Sequence, residues 1–88
     1  MITGKTDSGF EFEIDEKILD DYELIESLAE VEDGDTLEIV KVTNKVLGDN
    51  KEKAFDFIRS QCGYVSTDAV TKLIKDIFMC IGKNGKNS

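Results

Sequence analysis

The stretch ITGKTDSGFEFEI, residues 2–14, alternates apolar and polar residues on both sides of Thr6-Asp7-Ser8-Gly9. Alternation of period two places successive side chains on opposite faces of a strand, so this pattern predicts a β-hairpin. If Asp7-Ser8-Gly9 is a three-residue loop with Gly9 left-handed, Thr6 faces Phe10. Lys5 then faces Glu11, Gly4 faces Phe12, Thr3 faces Glu13 and Ile2 faces Ile14. One face becomes apolar (Ile2, Gly4, Thr6, Phe10, Phe12, Ile14), and Gly4 leaves room for the Phe12 ring. The other carries Thr3, Lys5, Glu11 and Glu13. A slip of one residue would turn both phenylalanines to water, so the register is strongly specified. Two strands are marginal alone, which leaves two ways to complete the hairpin. Either the domain's own helices cover its edges, or an edge pairs with another chain.

The rest of the chain reads as helices. Asp20 as N-cap with Glu23 three residues on marks a helix start, and Ile18, Tyr22, Ile25 and Ala29 lie on one stripe, with Leu24, Leu28 and Val31 beside it. Asp33-Gly34 ends that segment. Asp35 and Glu38 frame a second start, followed by Leu37, Val40, Asn44 and Leu47 at helical spacing, with Gly48 as its stop. Ile39, Val40, Val42, Thr43 and Val46 are β-branched and compatible with a strand, but the caps at both ends favour helix. Asp49 and Glu52 open a third segment that runs to Gly63. Ser66 caps the last, whose Val70, Leu73, Ile74, Ile77, Phe78 and Ile81 make one continuous stripe. The expected architecture is therefore α+β, a hairpin followed by three to four helices in one domain over residues 1–81. Residues 82–88 contain no apolar side chain and read as a disordered basic tail.

Eighty-eight residues support a single small core. No apolar run reaches the ~18 residues of a membrane span, and the N-terminal residues lack a signal-peptide pattern. The chain is expected to be cytoplasmic, without a membrane partner. Cys62 and Cys80 read as small buried apolar residues in a reducing compartment. Histidine is absent, which removes the commonest general base, the commonest zinc ligand and every His-assisted nucleophile. Nothing in the pattern calls for a catalytic, cofactor or metal site, so the chain is expected to be non-enzymatic.

Charge is distributed unevenly. Residues 1–38 carry 14 acidic and two basic side chains, and residues 39–88 carry nine basic and five acidic ones. This balance argues against direct binding of nucleic acid by the first half. Three surfaces are candidates for binding a partner. The first is the hairpin, through Lys5, Phe10, Glu11, Phe12 and Glu13. The second is the acidic row Glu23, Glu26, Glu30 with Asp33, which is a solvated face, an electrostatic dock or a mimic of a phosphate row. The third is Phe55 with Phe57, which lie ~200° apart on a helix. One ring is then a half-exposed anchor, or both are buried between neighbouring helices.

The segments TGKTDSGFEFEIDE, LDDYELIESLAEVEDGD and VLGDNKEKAFDFIRSQCGYVSTDAV, with the ending KNS, together resemble the small tail assembly chaperones of long-tailed phages and prophages of Gram-positive bacteria. The stretch TLEIVKVTNK departs from the Leu/Pro-rich segment of that pattern. The resemblance implies a non-enzymatic protein that forms homo-oligomers and coats the tape-measure protein until the tail tube polymerises around it. It further implies action in the host cytoplasm and absence from the mature virion. In that family a longer form made by ribosomal frameshifting often accompanies the short one. The alternative expectation is a small acidic inhibitor that occupies a nucleic-acid-binding groove on a host protein by charge mimicry.

Overall fold

The computed structural model describes residues 1–85, with side chains through Gly82. Strands β1 (Ile2–Lys5) and β2 (Glu11–Ile14) form the antiparallel hairpin, and four helices follow: α1 (Tyr22–Glu32), α2 (Glu38–Leu47), α3 (Lys51–Cys62) and α4 (Thr67–Gly85). Short 3₁₀ turns at Glu16–Asp20 and Gly48–Asn50 lead into α1 and α3.

The register is the expected one, Ile2 to Ile14, Thr3 to Glu13, Gly4 to Phe12 and Lys5 to Glu11. Its loop is closed by Thr6 N–H donating to Phe10 O and Gly9 N–H donating to Thr6 O, each at 2.9 Å. Gly9 sits at φ 102°, the left-handed region this loop requires. Phe10 N–H would be an orphan donor here, but Thr6 Oγ1 accepts it at 3.1 Å, which explains why a threonine is buried at this position. Across the sheet, a Cβ on Gly4 would stand 2.6 Å from Cζ of Phe12. The ring fills the space that a side chain at position 4 would need.

Helix α4 is the spine. Ser66 Oγ accepts from Ala69 N–H, and Val70, Leu73, Ile74 and Ile77 are buried, with Phe78 and Ile81 packed at the margin. It lies against β1, α2 and α3. The helix also includes residues 82–85, which the sequence assigns to a disordered tail. With no proline present, the backbone ladder continues past the last apolar residue. The rest of that tail, 86–88, lies outside the described residues.

Helices α1 and α2 refine the sequence reading in four ways. The cap of α1 is Asp21, whose side chain accepts from Leu24 N–H at 3.2 Å, because Asp20 belongs to the preceding 3₁₀ turn. On α1, Leu24 is buried and Leu28 and Val31 pack on the core, while Tyr22, Ile25 and Ala29 face outward. On α2, the buried positions are Ile39, Val42, Thr43, Val46 and Leu47. Leu37, Val40 and Asn44 are exposed. Thr43 tolerates burial because its hydroxyl donates to Ile39 O at 2.6 Å. Asp35 caps only the turn before α2, accepting from Leu37 N–H, and α2 itself starts without a side-chain cap.

Candidate functional site

Each strand of the hairpin has one outer edge. Since Thr6 and Phe10 form the hydrogen-bonded pair nearest the loop, ladder alternation turns the backbone groups of Thr3 and Lys5 outward from β1. By the same alternation, those of Glu11 and Glu13 point outward from β2. Residues of the domain reach both edges. Asn50 Nδ2 donates to Glu13 O at 2.7 Å, and Cys80 Sγ lies 3.5 Å from Lys5 O as a weak donor. Of the hairpin residues proposed for partner contact, Phe10 and Phe12 are 2 % and 4 % exposed and belong to the core. Their rings are withdrawn from any partner by α4, α2 and α3. Lys5, Glu11 and Glu13 remain exposed on the outer face beside Lys53.

Phe55 and Phe57 meet neither of the two readings in full, since both rings pack on the core and neither is fully covered. Both are half-buried, Phe57 against Phe10 with ring centroids 5.4 Å apart. Phe55 lines a cavity of about 230 Å³ between α2, α3 and the start of α4, together with Ile39, Val40, Val65 and Val70. Lys51 stands at its rim and donates to Asn44 Oδ1 at 3.1 Å.

The acidic row is intact on the surface. Glu23, Glu26 and Glu30 are exposed and line one shallow groove, and none has a cation within salt-bridge distance among the described residues. The opposite wall, on α2, carries Lys41 and Lys45. These two are already engaged, Lys41 with Glu38 at 3.2 Å and Lys45 with Asp21 at 3.2 Å. The hydrogen bond from Leu24 N–H, followed by that from Lys45, holds the Asp21 carboxyl below the ordinary aspartate range.

Sequence reasoning missed the surface beside this row. Tyr22 is 72 % exposed and Ile25 52 %, with Leu19 half-exposed in the turn before them. The signal is present as one of two neighbouring apolar stripes on α1, and spacing alone does not say which of them stays outside. Cys62 is exposed, against the expectation of burial, and neither cysteine is in a disulfide.

Among the described residues, no group of three or more Cys, Asp or Glu side chains is placed to hold a metal ion. None of their helices is long and apolar enough to cross a membrane. No protein-family model, curated protein or solved structure matches the chain.

Proposed function

We propose that this chain is a non-enzymatic tail assembly chaperone of a long-tailed phage or prophage, which binds the tape-measure protein and shields it during tail morphogenesis. The observation that supports this reading best is the Tyr22–Ile25–Ala29 stripe, an ordered apolar surface that the core does not use. A protein whose task is to cover an apolar helical client needs such a surface, rigidly held and kept soluble by neighbouring charge. The carboxylates of Glu23, Glu26 and Glu30 supply that charge. The segments quoted for the resemblance add the client's identity, the host cytoplasm as the site of action, and absence from the mature particle.

Self-association through a hairpin edge is less well supported, because Asn50 and Cys80 each take one outward carbonyl, Glu13 O on one edge and Lys5 O on the other. Charge mimicry of nucleic acid also has less support. The acidic row shares its groove with Lys41 and Lys45 on α2, so carboxylates do not line that groove alone as mimicry of a phosphate row would ask.

Coexpression with the tape-measure protein tests the proposal. The client is expected in the soluble fraction when the chain is present and in the pellet when it is absent. A client equally insoluble in both cases would refute it.

A further inference from the structure

Helix α1 carries two exposed rows in parallel. Tyr22, Ile25 and Ala29 recur at spacings of three and four, and Glu23, Glu26 and Glu30 follow each of them by one residue. One residue is a rotation of about 100°, so the two rows run side by side along the ~16 Å of the helix. Leu19, in the preceding 3₁₀ turn, is also half-exposed. We infer that this double row is a docking face for an amphipathic helix whose own apolar row is flanked by Lys or Arg. The apolar rows would interdigitate, and the basic flank would meet three carboxylates that have no cation partner among the described residues.

Charge complementarity selects a foreign helix over a second copy. Among the described residues, five helix cations are paired with carboxylates: Lys41 with Glu38, Lys45 with Asp21, Arg59 with Asp56, Lys72 with Asp76 and Lys75 with Glu32. Of the two on α3 that are not, Lys51 donates to Asn44 and Lys53 lies in the hairpin groove with Glu11 and Glu13. Two α1 faces brought together would oppose their own acidic rows. A basic amphipathic helix satisfies both rows at once.

The inference rests on the chaperone reading only for the identity of the client; the chemistry of the face stands on the structure. A synthetic peptide about 18 residues long, five helical turns with a Leu row flanked by Lys, is the probe. Its twin carries Glu in place of Lys. Fluorescence anisotropy is expected to show saturable binding of the Lys peptide and none of the Glu twin. Tyr22→Ala/Ile25→Ser should weaken binding at least about tenfold, the equivalent of about 1.4 kcal/mol, without changing its salt dependence. Glu23→Gln/Glu26→Gln/Glu30→Gln should weaken it and flatten the salt dependence.

Glu11→Gln/Glu13→Gln/Glu52→Gln, which removes the same charge elsewhere, should leave affinity within about twofold. On the unsubstituted protein, amide shift changes confined to residues 19–30 locate the face without any variant. Overturning results are equal loss in the two triple variants, unchanged binding by Tyr22→Ala/Ile25→Ser, or shift changes elsewhere. Dissociation of a wild-type homo-oligomer by Ile25→Ser would likewise overturn it, assigning the face to self-association. Because the titration contains no tail protein, its failure leaves the coexpression result standing, and the converse also holds.

Discussion

Helices α4 and α1 are both rich in apolar residues, and the structure uses them in opposite ways. On α4 the apolar positions form one stripe, and β1, α2 and α3 absorb it. On α1 they form two. The Leu24–Leu28–Val31 stripe packs inward, and the Tyr22–Ile25–Ala29 stripe is left outside. A core of this size accepts one face per helix, so a helix with two apolar faces has one to spare. The surplus stripe is informative about partners, and the absorbed stripe is informative about folding.

The largest expected effect breaks this comparison most directly. Ile77→Ala empties a fully buried position on α4 and should destabilise the domain by about 2–5 kcal/mol in urea denaturation. The matching substitution on α1, Ile25→Ala, should change stability by no more than about 0.5 kcal/mol. Similar losses from the two would mean that the outer stripe of α1 is structural after all.

A smaller effect is expected in the hairpin. Gly4→Ala drives a methyl into the Phe12 ring and should destabilise by about 1–3 kcal/mol. Phe12→Leu should recover part of that loss when combined with it. Strict additivity in the double-mutant cycle would deny the contact.

The smallest effect concerns Asp21, which joins α1 to α2 through Lys45. Its carboxyl is held below the ordinary range, so it contributes stability above the unfolded-state value of about 4, and that contribution fades as pH falls through the folded value. Asp21→Asn should therefore be less stable than wild type at pH 7. The gap should close steadily below pH ~4. A gap independent of pH would place the role of Asp21 in its shape rather than its charge.

How much of this was legible in sequence differs along the chain for physical reasons. The hairpin register could be read residue by residue, because period two, a Gly at the third loop position and two phenylalanines on one face all agree. Helix α4 was equally clear, since its apolar residues admit one stripe. On α1 the period was right, and the sequence left open which of two neighbouring stripes meets the core. Periodicity identifies stripes but does not say which one meets a neighbour; the packing of α2 across α1 decides that. On α2 the spacing of Ile39, Val42, Thr43 and Val46 is helical. Its β-branched composition is equally compatible with a strand, and Leu37, Val40 and Asn44, also at helical spacing, turn out to be the exposed side. Of the candidate surfaces, the acidic row was found by spacing alone. The apolar row beside it became visible only when the core was seen to be complete without it.

The two side chains at the hairpin edges also set an order in time. Asn50 stands 37 residues beyond Glu13, and Cys80 stands 75 beyond Lys5. At a synthesis rate of roughly 5–20 residues per second, the β1 edge of a nascent chain waits about 4–15 s before Cys80 has been added. During that interval nothing from α4 covers the first strand to be made. The alternating charges of Lys5, Glu11 and Glu13 flank the hairpin throughout, and they discourage edge pairing between chains on neighbouring ribosomes before α4 is available.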